Sequence, residues 1–202
     1  HNQLTEARAI CKSLSETVGP NATISFLFAA IDLKRGELLS ANEYLNTAIR
    51  LDPSVAEYYA TLANVQNALG NSEEALENYE TALRLSPKKI DVLNSYGMAL
   101  KSRKLYPQAI EAFQSVLGKD KNSIPARLNL AKLLRELGHK KEAMSCLNGI
   151  DYKVVSAFAV TKASYNLPVI PESIQELEGS RARYEREIIA LADVECEIDE
   201  NH

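Results

Sequence analysis

Side chains able to do acid–base, nucleophilic or metal chemistry are few and widely separated in this sequence. The three histidines, His1, His139 and His202, lack the helical or hairpin spacing that a metal pair requires. The chain contains no glycine-rich phosphate loop, no Cys-x-x-Cys motif and no nucleophile elbow. Acidic runs such as Glu73-Glu74 are typical of solvated helix faces rather than of catalytic carboxylate pairs. The sequence therefore predicts a chain that is not an enzyme and that holds no cofactor or metal.

Asparagine offers a different chemistry, which is recognition of a peptide backbone. A side-chain amide can donate and accept hydrogen bonds at once, as an extended main chain does. Asn64, Asn94 and Asn129 each fall in a stretch with the periodicity of an amphipathic helix. Such amides suit the capture of extended segments with little dependence on their sequence. The alternative is that these positions are polar only because they face water.

Residues 56–89 show which elements must hold these side chains. Apolar residues recur there at i, i+3, i+4 and i+7 in two short runs, which predicts two amphipathic helices. Gly70-Asn71 separates the runs, and Pro87 closes the unit because proline cannot continue a helix interior. We expect Asn71 to cap the second helix, with Glu74 completing a capping box.

The same pattern returns with a period of 34 residues. It predicts four helical hairpins, at residues 22–55, 56–89, 90–123 and 124–150. One hairpin of this size cannot bury its own apolar face, so the hairpins must stack and cover one another. Residues 1–20 match only the second helix of a truncated repeat. We therefore interpret the chain as a trimmed fragment whose first helix has an exposed apolar side.

Small, large and turn residues come back in register from one hairpin to the next, among them Ala29, Ala63, Gly97 and Ala131. Over residues 22–150 this register resembles the tetratricopeptide repeat family. The resemblance implies an all-α, right-handed superhelix of stacked hairpins with a C-terminal capping helix. Lys104 departs from the pattern, because it stands where the other hairpins have a turn glycine. We expect it to loosen that turn.

The resemblance also implies where function lies, on the concave face lined by the first helix of each hairpin. The implied partner is a protein or an extended peptide. Lys101, Lys132 and Arg135 could seat a carboxylate, although they do not reproduce the lysine–asparagine clamp of related chaperone-binding modules. The residues placed in this peptide-binding groove are Asn64, Asn67, Asn94, Met98, Lys101, Asn129, Lys132 and Arg135, with Phe26, Leu27, Ala30 and Leu33 from the first hairpin.

The period fails beyond residue 150, and four further segments are predicted. Residues 151–164 are expected to form a buried helix that caps the array, and residues 165–172 an extended linker with two prolines. Residues 173–192 have the apolar seam of a long amphipathic helix. Residues 193–202 form an acidic tail.

The segment around the linker carries a second resemblance. The run 167–173 (LPVIPES), followed by Glu176-Leu177 and 180–184 (SRARY), resembles a junction in bacterial SPINDLY-like, O-linked N-acetylglucosamine-transferase-type proteins. In those proteins a repeat array runs into a two-lobed glycosyltransferase region. The resemblance implies that this chain presents protein substrates to such a transferase. The alternative is a stand-alone scaffold or co-chaperone with no enzymatic domain.

The net charge and the cysteine content limit which classes of partner and which compartment are expected. The net charge of −4, with no basic cluster, argues against nucleic acid as a partner. No apolar run approaches the ~18 residues of a membrane span. Cys11, Cys146 and Cys196 are far apart and odd in number, which predicts a reducing, cytoplasmic location.

A homodimer through exposed terminal helices is also expected. A helix that lacks its covering neighbour leaves apolar surface, which a second copy can bury. The two candidate surfaces are the helix within residues 3–18 and the seam formed by Ile174, Leu177 and Ile188.

Overall fold

The computed structural model of the chain describes residues 2–148. Every regular element in that range is a helix, which confirms the expected all-α class. After the first helix, each 34-residue repeat contributes a pair. The helices are α1 (Asn2–Val18), α2 (Ala22–Arg35), α3 (Leu38–Leu51), α4 (Ala56–Ala68), α5 (Ser72–Leu85), α6 (Ile90–Ser102), α7 (Tyr106–Lys119), α8 (Ile124–Glu136) and α9 (Lys140–Leu147).

The chain divides into two compact units, His1–Lys121 and Asn122–His202. In the first unit α2 packs on α3, α4 on α5 and α6 on α7, and α1 packs on α2. Successive hairpins touch through α3 with α4 and through α5 with α6. In the described part of the second unit, α8 packs on α9. Within the first unit each hairpin is therefore covered by a neighbour, as repeat packing requires.

Small residues let the helices of one hairpin approach closely. Ala63 and Ala75 are fully buried in the apolar cluster formed by α4, α5 and α6. Gly97 has the same role in the third hairpin, because a Cβ atom there would lie 2.7 Å from Cε1 of Phe113. Real Cβ atoms do not approach that closely, so the Phe113 ring packs against α6 only because Gly97 lacks a side chain.

The turns inside the hairpins depend on one left-handed residue. Gly36 and Gly70 have φ angles of 80° and 88°, which glycine adopts at no steric cost. Lys104 has φ 61° at the equivalent place. The Lys104 and Leu105 amides still donate to α6 carbonyls at 2.9 and 3.0 Å, as the amides of the Gly70 turn donate to α4. The expected loosening is therefore wrong, because the turn keeps its geometry and the lysine takes the strained conformation.

The capping box predicted at Asn71 and Glu74 is also wrong. Asn71 has φ −83° and ψ 63°, and its side chain accepts no hydrogen bond from the first turn of α5. Only its carbonyl takes part, by accepting from the Ala75 amide at 3.1 Å. Asn21 shows what capping needs: its backbone is extended, and its Oδ1 accepts from the Thr23 amide at 2.9 Å. The Asn71 backbone does not aim its side chain over the helix end.

The apolar core is dense between interior hairpins and thin at α1. Tyr79 of α5 is 2% exposed, whereas Ile10, Leu14 and Val18 of α1 are 56%, 43% and 62% exposed. Cys11 is the one side chain of α1 among the described residues that is buried. Leu14 occupies a position that is buried in later repeats. It is exposed here because no described helix covers that side of α1.

Several predictions lie outside the described residues. They are the capping helix at 151–164, the linker at 165–172, the long helix at 173–192 and the acidic tail at 193–202. The second resemblance, in residues 167–184, and the dimer seam that contains Ile174 lie there too.

Candidate functional site

Tyr79 of α5 contacts both α4 and α6, through its hydroxyl on one side and its ring against Tyr96 on the other. That hydroxyl donates a hydrogen bond to Oδ1 of Asn64 on α4, at 2.5 Å. Burial raises the pKa of Tyr79 to about 12, and a hydrogen bond with Ser95 of α6 opposes that rise. The hydroxyl is therefore protonated at neutral pH, and its hydrogen bond to Asn64 joins α5 to α4.

The same hydrogen bond fixes the direction of the Asn64 amide. The side chain is exposed, its Oδ1 is occupied by Tyr79, and its Nδ2 has no partner among residues 2–148. Asn64 therefore presents N–H donors to the solvent and to any bound chain. The sequence predicts a group that both donates and accepts. The structure makes it a donor.

The other predicted groove residues of the first unit differ in exposure. Asn67 is half-buried, one turn after Asn64 on α4, while Met98 of α6 is 51% exposed. Asn94 and Lys101 of α6 are half-buried, and each already takes part in an interaction within the chain. Asn64 and Met98 are thus the predicted residues of α4 and α6 that present the most surface.

The first hairpin contributes apolar side chains of α2 to the predicted groove. The Phe26 ring of α2 lies 5.0 Å from the Tyr58 ring of α4, measured between centroids, and ties the two helices together. Leu27 is 41% exposed. Leu33, predicted in the groove, instead packs against the core cluster that includes Ala29 and Leu45. The first hairpin therefore offers Leu27 as its exposed apolar contact.

The remaining predicted residues belong to the second unit. Asn129, Lys132 and Arg135 occupy successive turns of α8, where Lys132 and Arg135 are exposed and Asn129 is half-buried. Arg127 donates from Nη1 to the carbonyl of Asn148 at 2.9 Å, which ties α8 to the end of α9. The predicted groove residues thus form two sets, one on α4 and α6 and the other on α8.

The described residues contain neither a metal cluster nor a membrane-spanning helix. No group of three or more His, Cys, Asp and Glu side chains in that range is arranged to hold a metal. His139, the residue before α9, and Glu142 in the first turn of α9 make an exposed contact of 2.9 Å between Nδ1 and Oε1. No helix within residues 2–148 is long and apolar enough to cross a bilayer.

Sequence reasoning missed a charged cluster at the other end of the first unit. Asp32 of α2 is fully buried, and its Oδ1 forms an ion pair with Nη1 of Arg8 from α1. The Ser40 hydroxyl of α3 donates to the second carboxylate oxygen. The Arg8 guanidinium carbon lies 5.5 Å from the Phe28 ring centroid and 5.9 Å from that of Tyr44. Three helices are joined through one carboxylate.

The repeat register contained a signal for this cluster. The position of Asp32 is occupied by Leu100 and Leu134 two and three repeats later, and both leucines are buried. A carboxylate at an apolar core position must have a partner, because burying an unpaired charge is costly. The partner could have been sought on the preceding helix, where Arg8 lies.

Solved structures that resemble this chain share its fold. The crystal structure of YrrB, described as a TPR protein with an unusual peptide-binding site, superimposes with a TM-score of 0.65. The match covers 91% of each chain at 20% sequence identity. At that identity the likeness shows the fold alone, a tetratricopeptide-type array of helical hairpins.

Curated relatives match the chain over part of its length. The type IV pilus assembly protein PilF of Pseudomonas aeruginosa is 33% identical over 105 residues, which are 50% of this chain. The chloroplastic tetratricopeptide repeat domain-containing protein PYG7 of Arabidopsis thaliana is 32% identical over 126 residues, 57% of this chain. The matched parts span only 42% and 41% of those relatives.

Sequence profiles described as tetratricopeptide repeats match this chain over most of its length. One profile matches residues 27–90 and 60–124, and a second matches residues 100–156. Together they take in the hairpin helices from α2 onward and their Gly36, Gly70 and Gly138 turns. The stacked pairs, the small residues at their contacts and these matches agree, and the chain belongs to the tetratricopeptide repeat family.

Proposed function

We propose that α2, α4 and α6 of the first unit bind an extended segment of a partner protein. The observation that carries this proposal is the Tyr79–Asn64 hydrogen bond, which turns the Asn64 N–H donors outward. A main-chain carbonyl of the bound segment is the acceptor that fits such a donor. The family supports the proposal, because tetratricopeptide arrays present extended binding surfaces. YrrB, described as having a peptide-binding site, shares the fold.

Exposed apolar side chains on the neighbouring helices suggest what else the segment carries. Leu27 of α2 and Met98 of α6 are 41% and 51% exposed, and Asn64 lies on α4, which comes between those helices in the chain. Methionine adapts its shape to varied partners. The segment would therefore place apolar side chains against Leu27 and Met98, while its backbone meets Asn64.

An Asn64→Asp substitution tests this proposal. The aspartate keeps an oxygen acceptor for the Tyr79 hydroxyl but loses the N–H donors, so the fold should persist while a peptide carbonyl meets a negative charge. Affinity for a panel of unstructured peptides of unrelated sequence would be measured by fluorescence anisotropy. We expect about a 2- to 12-fold loss for each peptide, the equivalent of one hydrogen bond of roughly 0.5–1.5 kcal/mol.

Asn71→Asp is the matched control, because Asn71 is an exposed turn residue that undergoes the same change of charge. It should leave binding unchanged. A loss confined to one peptide would mean that Asn64 contacts a side chain rather than main chain. Unchanged affinity of Asn64→Asp for every peptide would contradict the proposal.

The finer proposal is that the array presents protein substrates to an attached O-glycosyltransferase. It rests on the resemblance in residues 167–184. The stand-alone scaffold or co-chaperone remains the alternative and is equally consistent with family membership. Sequencing the gene beyond the codon for His202 separates them, because a two-lobed transferase region is either encoded there or not. Peptide binding by α2, α4 and α6 is expected in both cases.

We also propose a homodimer through α1 in a reducing, cytoplasmic setting. The stripe of Ile10, Leu14 and Val18 is exposed at one-turn spacing, and apolar surface of this kind favours association. Cys11 and Cys146 are free thiols, which suits a reducing compartment. Sedimentation at micromolar concentration should show a dimer that Leu14→Lys dissociates. A monomer at all concentrations would contradict this part of the proposal.

A further inference from the structure

We propose that Phe28, Asp32, Ser40 and Tyr44 form a recognition socket for an arginine side chain, and that Arg8 is the occupant supplied by the chain itself. The socket belongs to the first hairpin, with Phe28 and Asp32 on α2 and Ser40 and Tyr44 on α3. It shares helix α2 with the peptide-binding proposal but no residue, because the peptide is expected at Leu27 on that helix and the socket is formed by Phe28 and Asp32.

The buried part of the socket is the Asp32 carboxylate, one oxygen of which already accepts a hydrogen bond from Ser40. Asp32 has no exposed surface, so its charge must be matched by a cation inside the protein. The Ser40 hydroxyl donates to Oδ2 and leaves Oδ1 to Nη1 of Arg8. The guanidinium is therefore met by an oriented carboxylate oxygen rather than by a diffuse negative patch.

The aromatic part of the socket is one stacked pair of rings that lies beside the guanidinium. The rings of Phe28 and Tyr44 stack at a centroid distance of 5.0 Å with an interplanar angle of 19°. The guanidinium carbon of Arg8 lies 5.5 Å from one ring and 5.9 Å from the other. A planar, weakly hydrated guanidinium packs against such rings better than a compact ammonium does. The socket therefore favours arginine over lysine.

The four residues occur together only in the first of the three hairpins of the first unit. The equivalent positions of the second hairpin are Leu62, Gln66, Glu74 and Asn78. Those of the third are Tyr96, Leu100, Gln108 and Ala112. The socket is thus a particular feature of the first hairpin, and ordinary stacking of repeats does not require it.

The occupant sits on the helix with the least buried apolar surface in the unit. Cys11 is the one buried side chain of α1 among the described residues, whereas α4 buries five residues. The Arg8 side chain is 32% exposed, so this edge of the socket is open to solvent. A partner helix with an arginine, and a small residue three positions later as Cys11 follows Arg8 on α1, has the chemistry to replace α1 in the socket.

Chemical rescue of Arg8→Ala tests the socket in the full chain. Ethylguanidinium contains the part of the arginine side chain that Arg8→Ala removes, from Cγ to the guanidinium nitrogens. We expect the substitution to lower the melting temperature by about 10 °C, because it leaves a buried carboxylate without its cation. Millimolar ethylguanidinium should then raise the melting temperature of Arg8→Ala saturably. It should leave the unsubstituted chain and the Arg8→Ala/Asp32→Leu double variant unchanged.

Propylammonium is the matched control probe, since it carries the same charge without the planar fork. A rise of equal size with propylammonium, or no rise with either compound, would overturn the proposal. If Arg8→Ala does not fold, Arg8→Lys replaces it, because lysine keeps a positive charge beside Asp32. The socket requires Arg8→Lys to melt several degrees below the unsubstituted chain, and equal melting temperatures would overturn the proposal as well.

Discussion

Two junctions between helices of the first unit carry different types of residue at the same positions of the repeat. At the first junction Arg8 of α1 meets the buried carboxylate of Asp32 on α2. Two repeats later the equivalent positions are Leu76 on α5 and Leu100 on α6. Leu76 packs against the core cluster of α4–α6, and Leu100 is 3% exposed. The junction between them has Asn42 on α3 and Gln66 on α4, so this place in the fold is charged at the edge, polar at the second junction and apolar at the third.

The difference separates stability from selectivity. An apolar contact gains from any well-packed neighbour, because the hydrophobic effect is not directional. A buried ion pair gains little net stability, but it is strongly destabilised when one partner is missing. Apolar residues such as Leu76 and Leu100 therefore suit a permanent contact between α5 and α6. The Arg8–Asp32 junction selects the helix that can sit on the first hairpin.

The largest effect should come from breaking the charged junction on one side. Arg8→Leu leaves Asp32 buried without a cation and should lower the free energy of unfolding by about 3–5 kcal/mol. Asp32→Leu should cost less, because the partly exposed Arg8 can turn towards water. Urea denaturation measures both, with the exposed Lys12→Leu on α1 as the control for charge. Equal costs for Arg8→Leu and Asp32→Leu would contradict the asymmetry.

Overpacking the apolar region should have the next largest effect. Ala75 is fully buried where α5 packs on α4, so Ala75→Trp should cost about 1–3 kcal/mol or more. Because neighbouring repeats are coupled, the hairpins on either side should weaken as well. Thermal melting and hydrogen exchange would follow this, with the exposed Ala68→Trp on α4 as the control. An unchanged melting curve would contradict the assigned packing.

The fold is predictable because its signal is repeated. The small residues Ala63 and Ala75 and the turn glycine Gly70 follow from local rules, and the 34-residue period multiplies the evidence. The cap expected at Asn71 fails because capping depends on a backbone angle, which residue type alone does not set. Lys104 also shows that residue type alone does not set the backbone angle. The repeated fold imposes a left-handed conformation on this lysine, although the side chain disfavours it.

The candidate site is less predictable, because its geometry depends on contacts between helices. Asn64 can be identified from its type and its place in the family register. Its orientation comes from the Tyr79 hydroxyl of the following helix, and no local pattern reports that hydrogen bond. The Arg8–Asp32 pair joins residues 24 positions apart on different helices. A charge at an apolar register position is the only sign of it in the sequence.

A smaller effect should appear at the turn of the third hairpin, which lies beside the apolar junction. Lys104→Gly relieves a left-handed conformation that costs a non-glycine residue about 1–2 kcal/mol, although glycine also adds entropy to the unfolded chain. The net expectation is a gain of about 0.5–1 kcal/mol in the free energy of unfolding. Gln114→Gly, at an exposed interior position of α7, should instead destabilise by a similar amount. A loss of stability in Lys104→Gly would mean that contacts of the lysine side chain outweigh its strain.

The smallest effect on stability should come from converting the charged junction into the apolar one. Arg8→Leu/Asp32→Leu places at the edge the pair of residue types that the chain itself uses at Leu76 and Leu100. Replacing a buried ion pair by apolar residues is often neutral or stabilising, so we expect a change within about 1 kcal/mol. The large cost of Arg8→Leu would thus be recovered by the second substitution, a coupling that urea denaturation of all four variants measures.

The same double variant separates the two roles of the junction. If the charged pair serves stability alone, replacing it by two leucines changes nothing else. If the pair selects an arginine, the Arg8→Leu/Asp32→Leu variant should keep the melting temperature of the unsubstituted chain, yet show none of the preference for ethylguanidinium over propylammonium that Arg8→Ala shows. The reason is that position 32 then offers no carboxylate to either cation.

The measurement is a melting series with added ethylguanidinium and propylammonium. The Arg8→Leu/Asp32→Leu variant should respond equally weakly to both compounds, because its first junction no longer has a buried carboxylate to bind a cation. A melting temperature close to that of the unsubstituted chain, together with a guanidinium-selective rise in Arg8→Ala that is absent from the double variant, would assign selection to the ion pair and stability to the surrounding packing. A double variant that melts as low as Arg8→Leu would show instead that the edge cannot hold the apolar pair that the interior uses.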